Sequence, residues 1–450
     1  MTASTRHAQN TETVSKKHTP TYPVIEMKKV ASIILGGGEG TRLYPLTLTR
    51  SKPAISFGGK YRLIDIPISN SIHAECHKIF ILTQFLSSSL HHHIFQTYLQ
   101  YPKSSGLIEI LTAEQKPSQK NWFLGTADAV RQNIEYLLEH PVDYFLILSG
   151  DQLYNINFQE MVDVAAKNDA DLVIATLPIN EREASRMGVL NIDNKDQIID
   201  FKEKPQDQSI LETLKMSPEI LERLNIYPQS QKDYLGSMGI YLFKRKALVE
   251  LLARDPREDF GKHLIPTMIQ SGKVSAFVYK GYWEDIGTIH TFYQANMSLI
   301  GPNAIFSLQN QERPIFSARY NLPPSQIYNS QINQVILCDG ATIEADEIIH
   351  SIIGPRAAIG KGSIVRDSYI MGSDYYQTEV TDHPCLPVRP HIGENCIILK
   401  AIIDKNASLG NGVKLINKQK LTHYDGGTIF IRDGIIIVPR GATLPDDFIL

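Results

Sequence analysis

Apolar residues follow two different rhythms along this chain. From Lys28 to about Ser298, short apolar runs alternate with amphipathic stretches. The runs at 30–35, 78–83, 144–148, 171–177, 239–243 and 274–279 have strand length and predict strands. Between the second and third, residues 127–139 set Ala127, Val130, Ile134, Leu137 and Leu138 at helical spacing. Strands alternating with helices predict an α/β domain around a mostly parallel, Rossmann-like sheet. Such sheets hold ligands at the carboxyl ends of their strands, so the loops leaving these runs are where chemistry is to be sought.

After Gly301 the texture changes. Residues 301–334 are rich in Pro, Asn, Gln and Ser and read as a linker. Beyond them aliphatic residues recur every six positions, as at Leu337, Ile343 and Ile349, then Ile353, Ile359 and Val365, then Ile397, Ile403, Leu409 and Leu415. One inward aliphatic per side at a six-residue period predicts a parallel β-helix of three-sided coils. Residues 374–390 break the period and predict a loop thrown out from a coil. The predicted division is a tail at 1–27, an α/β domain at 28–300, a linker at 301–334 and a β-helix at 335–450. The tail is rich in Thr, Ser, Lys and His, without the apolar segment of a secretory signal. It is expected to be disordered, with an organelle transit peptide as the alternative; the cytoplasm is the expected compartment, a plastid the other.

Composition narrows the function classes. The chain is 42% hydrophobic and 21% charged, with a formal net charge of -3, which gives no reason to expect nucleic acid or membrane as a partner. Cys76, Cys338, Cys385 and Cys396 lack metal-ligand spacing and read as reduced thiols. The first strand runs into "LGGGEGTRLYPLTLTRSKPA", Leu35 to Ala54. This fits neither the dinucleotide fingerprint nor the P-loop. Gly36, Gly37 and Gly38 can still let backbone N–H groups approach phosphate oxygens or a base edge. Arg42 can reach a triphosphate with a forked guanidinium, and Lys52 is held by Pro53. The run His91-His92-His93 does not suggest a metal site, because consecutive helical residues point 100° apart.

The pattern GGGxGTRLxPLTxxxxKP at the head of a strand–loop–helix unit resembles the sugar-nucleotide pyrophosphorylases. Further segments resemble the glucose-1-phosphate adenylyltransferase (ADP-glucose pyrophosphorylase) family within that group. They are "YRLIDIPISN" (61–70), "WFLGTADAVRQ" (122–132), "GDQLY" (150–154), "FKEKP" (201–205), "SMGIYLF" (237–243) and "GYWEDIGT" (281–288). The resemblance runs from about residue 28 to the C-terminus and implies a left-handed β-helix behind the catalytic domain. It implies ATP and glucose 1-phosphate as substrates, with Mg²⁺ held by Asp151 and Asp285. Arg42, Lys52 and Asp151 would carry catalysis. Gly36–Gly38, Gln84, Gln115, Gly125 and Thr126 would bind ATP, and Phe123, Gly188, Glu203, Lys204, Ser237 and Trp283 the sugar phosphate. Arg50, Arg62, Lys405 and Arg440 would meet anionic metabolite effectors, and a homotetramer or a heterotetramer would form.

Three positions depart from the family pattern. Gln152 stands where His is usual, Tyr44 where some bacterial relatives carry an effector-binding lysine, and Arg440 where a lysine is usual. Three other readings remain: a pyrophosphorylase for another base or sugar, a non-catalytic regulatory subunit of a hetero-oligomer, and a β-helix acyltransferase. The intact Arg42, Lys52, Asp151, Lys204 and Asp285 count against the second. His350, His391 and His423 form no recognisable acyltransferase arrangement.

Overall fold

A computed structural model describes residues 22–98, 106–114, 121–227, 230–302, 304–376 and 391–450. The expected tail up to residue 21, Gln115, Cys385 and most of the expected loop after Asp374 lie outside those residues. The N-terminal part is built on a nine-stranded sheet. Its strands are β1 (Val30–Leu35), β2 (Lys78–Thr83), β3 (Leu107–Thr112), β4 (Tyr144–Ser149), β5 (Leu172–Ile179), β6 (Gly188–Ile192), β7 (Ile198–Glu203), β8 (Tyr234–Lys244) and β9 (Val274–Val278). The main path is β7-β6-β8-β4-β1-β2-β3, with β5 paired to β8 and β9 to β5. Seven of these strands share one direction; β7 and β8 run against them.

All six expected runs are strands, and the expected helix is Thr126–Leu138. The structure adds β3, β6 and β7, whose polar residues hid them, and extends β8 back to Tyr234 through a register irregularity between Ser237 and Tyr241. Side chains alternate across the sheet at a period of two. Ala31, Ile33, Phe80, Leu82, Phe145 and Ile147 pack on one face. Val30, Ile34, Ile79, Ile81, Leu146 and Leu148 pack on the other.

The C-terminal part is a three-sided parallel coil whose stacked interior positions form columns. One column is Ile343, Ile359, Ile392, Leu409 and Leu444. A second is Ile348, Val365, Ile398 and Leu415. A third is Leu337, Ile353, Ile370, Ile403 and Val438. The expected inward positions 349 and 397 are therefore each off by one. Ile348 and Ile398 are fully buried, while Ile349 and Ile397 are only half-buried. The phase slips there because adjacent aliphatic residues make either one a candidate by spacing alone. Rungs also begin inside the expected linker: Gln326–Ile327 and Gln331–Leu337 already pair with the next coil.

The two parts share a core. Leu43, Leu46, Phe57, Ile66 and Phe292 from the sheet domain pack with Ile352, Tyr369, Met371, Ile402 and Ile437 from the coil. Within this apolar seam, Arg50 Nη2 lies 2.6 and 2.7 Å from the two oxygens of Asp404, and both side chains are almost fully buried. Removing one partner would leave the other as an unpaired buried charge, which costs about 3–5 kcal/mol, whereas an apolar pair is tolerated. Arg50→Met should accordingly lower stability by about 3–5 kcal/mol in urea unfolding. The double variant Arg50→Met/Asp404→Leu should recover most of that loss. A double variant as unstable as the single one would contradict this account.

Candidate active site

The site grows from the carboxyl ends of β1 and β4. At the end of β1, Gly36 N–H donates to Leu82 O at 2.8 Å, which turns the chain over β2. Gly40 sits in the left-handed region, at φ 64°, where L side chains are strained. A Cβ there would also lie 3.0 Å from Thr47 Cγ2 and 3.1 Å from Lys52 Cβ. The glycine loop and the Lys52 turn are thus in contact, with Arg42 on the short turn Thr41–Leu43 between them.

At the end of β4, Gly150 N–H donates to Leu35 O at 3.0 Å, which brings Asp151 beside the same loop. The next strand, Gln152–Tyr154, pairs antiparallel with Trp283–Asp285, so that Asp285 lies opposite Gln152. This pairing joins two acids that are remote in sequence. Lys52 Nζ lies 2.5 Å from Asp151 Oδ2 and 3.7 Å from Asp285 Oδ1. Asp151 also accepts a bond from the Ser149 hydroxyl. Burial pushes the Asp151 carboxyl up, but the Lys52 charge and the bonds from Lys52 and Ser149 outweigh it and hold it below the usual range. Asp285 moves the other way. Burial and then the Asp151 charge raise it, against the pull of Lys52, Arg42 and Lys204. One cation thus serves two carboxylates of unlike proton affinity.

These residues line a cavity of about 380 Å³. Gly188, Glu203, Lys204, Ser237 and Trp283, expected on sequence grounds to share a ligand, line it too. Gly188 is needed where it stands: a Cβ would lie 2.6 Å from Phe201 Cζ and 2.9 Å from Glu203 Oε2. Lys204 has φ 48° and sets its ammonium 3.2 Å from Glu203 Oε1. Sequence reading missed Glu183, Arg186, Met238 and Glu284 in the lining. Glu284 is raised by burial, then by Asp285 and Glu183, with Arg186 opposing. For Arg186 a signal existed, since it lies two residues before Gly188, itself expected at the sugar phosphate.

The expected nucleotide side is arranged differently from its simplest reading. Gln84 spends its amide on the main chain of Phe123, accepting from its N–H at 2.8 Å and donating to its carbonyl at 3.3 Å. Phe123, expected at the sugar phosphate, is buried in the sheet-domain core and is not among the residues lining the cavity. Gly125 is extended, and a Cβ there would meet Glu258 O at 2.5 Å. That carbonyl instead accepts from Ala127 N–H and Asp128 N–H, and the Thr126 hydroxyl accepts from Phe260 N–H.

Two acids around one lysine, a cavity beside a glycine loop and two cationic side chains suit the handling of phosphates. Residues 31–300 match the family model described as Nucleotidyl transferase. The chain belongs to that family. Residues 319–449 match the GLGC left-handed parallel beta-helix domain, and the two in series are the architecture of the glucose-1-phosphate adenylyltransferase family. The handedness of the coil in this nucleotidyl transferase follows the expectation.

Of the cations of this nucleotidyl transferase expected to meet an effector, Lys405, Arg440 and Arg62 lie around Asp374. Asp374 stands among them, with Oδ1 2.8 Å from Lys405 Nζ and Oδ2 2.6 Å from Arg440 Nη2. Burial pushes this carboxyl up, yet Lys405 and Arg440 overcome it and keep it well below the usual range. Burial lowers Lys405, only partly offset by Asp374. Arg62 donates to Ser89 O, and burial lowers it as well. Arg50, expected to face an effector, instead has its guanidinium buried in the seam on Asp404. The histidine run splits as expected: His91 Nε2 meets Thr83 Oγ1 at 2.8 Å, and His93 Nε2 meets Asp65 Oδ1 at 2.6 Å. No group of three or more His, Cys, Asp or Glu suited to a metal occurs among the described residues, and no described helix is long and apolar enough to cross a membrane.

Because Gln84 makes both amide bonds to Phe123, Gln84→Leu should loosen the loop at 121–125. Hydrogen exchange at the Phe123 amide should speed up by about three- to tenfold, the range expected for one lost bond. Unchanged protection there would assign the loop's order to its other contacts.

Proposed function

We propose that this nucleotidyl transferase joins ATP to α-D-glucose 1-phosphate, giving ADP-glucose and pyrophosphate. The family matches of both parts support a sugar-nucleotide pyrophosphorylase. The observation that carries the proposal is the position of Lys52 Nζ between Asp151 and Asp285, on a cavity that also holds Glu203 and Lys204. A phosphate oxygen of glucose 1-phosphate attacks the α-phosphorus of ATP, the bond to the β-phosphate oxygen breaks, and pyrophosphate leaves. No bond to the protein forms, so the chain acts by alignment and charge neutralisation. Lys204 and Glu203 hold the sugar phosphate. Arg42 and Lys52 balance the charge that builds on the departing pyrophosphate.

The donor set also suits a divalent cation. Two carboxylates with room for phosphate oxygens are what Mg²⁺ takes, and here a lysine ammonium stands between them as a stand-in charge. Asp151 and Asp285 would hold the ion, which when bound supplies Lewis-acid stabilisation of the phosphates. We extend the proposal to supply of an α-glucan such as glycogen or starch, and to a tetramer of this chain or of this chain with a sister chain.

Turnover of purified protein with glucose 1-phosphate and, in turn, ATP, UTP, dTTP and GTP tests the reading. ATP should be preferred. Equal or better use of another base would replace the adenylyl assignment, and no turnover with any would favour the regulatory-subunit reading. Arg42→Ala should lower kcat by about 10²–10³ with a smaller change in KM, as for loss of one transition-state donor.

Regulation by an anionic metabolite would act at Lys405, Arg440 and Arg62, where the anion must compete with the Asp374 carboxylate. Asp374→Asn should therefore tighten binding of inorganic phosphate or 3-phosphoglycerate several-fold in calorimetry. Lys405→Ala should weaken it. If neither variant changes the affinity, the anion seat lies elsewhere.

A further inference from the structure

Gln152 is buried beside Asp151, and its side chain spans two walls of the cavity. Its amide nitrogen donates to Met238 O at 2.9 Å. Its amide oxygen accepts from Trp283 Nε1 at 3.3 Å. Met238 lies in the irregular stretch of β8 between Ser237 and Tyr241, where Gly239 has φ 69°. That stretch also presents Ser237 to the cavity. Three segments remote in sequence are therefore pinned together by one neutral amide that donates to one wall and accepts from the other.

We infer that Gln152 is a positioning residue for the sugar-phosphate half of the cavity, fixing the Trp283 indole relative to Ser237. The inference rests on the proposed reaction for its choice of substrate, but the tether itself does not. Trp283 is half-buried, packs against the core and lines the cavity, and its indole N–H donates to Gln152. Holding it in one orientation removes rotamer freedom before the ligand arrives, which favours binding without adding a contact. Gln152 touches neither the glycine loop nor Lys52 in any hydrogen bond of the described residues. Its loss should thus fall on the sugar phosphate and leave ATP nearly untouched.

The chain has two tryptophans, and Trp122 is well exposed and outside the cavity lining. In a Trp122→Phe background Trp283 is the single indole reporter. Gln152→Leu in that background should raise acrylamide quenching of Trp283 about twofold or more without any substrate present. In the full-length enzyme the same substitution should raise KM for glucose 1-phosphate about three- to tenfold, the range for lost hydrogen bonds, with KM for ATP changed less than twofold. Gln152→His, whose neutral imidazole keeps one donor and one acceptor, should retain most of the affinity at pH 8. If Gln152→Leu does not fold, Gln152→Met, of similar length and without either hydrogen-bonding group, replaces it in both measurements. Unchanged quenching overturns the tether, whatever the kinetics. Equal losses for both substrates, or a fall in kcat alone, overturn the assignment to the sugar side. Absence of any turnover in the parent enzyme would instead reject the proposed reaction, and the quenching result would still decide the tether.

Discussion

The site depends on one unequal sharing of charge. A single ammonium, Lys52, faces two carboxylates at unequal distances, and they respond in opposite directions. Asp151 is held ionised by the closer contact and by the Ser149 hydroxyl. Asp285 is shifted toward its proton because burial and the Asp151 charge together outweigh Lys52, Arg42 and Lys204. Two acids this close in a partly desolvated cleft cannot both be satisfied by one lysine. The pocket therefore lines one cavity with both signs of charge, the acids Asp151 and Asp285 together with the cations Arg42, Lys52 and Lys204. A metal–phosphate ligand carries both signs, which is the physical reason the cleft suits phosphoryl chemistry better than acyl transfer or redox work.

That electrostatic arrangement is held by backbone constraints rather than by long side chains reaching out. Gly40 must take a left-handed conformation in contact with the Lys52 turn, and Gly150 must pass the end of β1 closely, with a Cβ only 3.1 Å from Leu35 O. Gly188 must leave room for Phe201 and Glu203. The short pairing of Gln152–Tyr154 with Trp283–Asp285 then closes the ring from the far end of the domain. Each constraint removes a degree of freedom that the charges would otherwise spend relaxing away from one another.

How much of this could be read from the residues divides by range. The glycine loop, Arg42, Lys52 and the strand ends are local signals, and the strands lie where the apolar runs put them. Asp285 carried no local sign of its partner; only its resemblance to a known motif joined it to Asp151, because the pairing that does so spans the whole domain. Phe123 lies within a functional motif, yet its ring packs into the core and its main chain meets Gln84, which the motif alone did not show. The same holds for the coil. Its period was plain, but Ile348 and Ile398 could not be told from their aliphatic neighbours until strand stacking chose between them. Gln152 was visible only as an unusual letter, since both groups it binds are far away in sequence.

The placement of Arg50 shows how the two parts are joined. Basic residues near a phosphate site read alike in sequence, yet Arg50 and Lys52, two residues apart, face opposite charges in opposite parts of the molecule. Arg50 is locked to Asp404 of the coil and Lys52 to the acids of the cavity. Ser51 alone separates them, and Lys52 opens a hydrogen-bonded turn, with Ala54 N–H donating to Ser51 O and Ile55 N–H to Lys52 O. Two ionic contacts, one to the coil and one to the cavity, thus lie two residues apart on one short segment. Asp404 is followed directly by Lys405, whose ammonium is held by Asp374 at the seam. A buried ion pair of this kind adds little net stability, but it admits few alternative geometries, since any displacement strands a charge in an apolar seam. The coil thus anchors, through Asp404, a residue two positions from the lysine of the cavity.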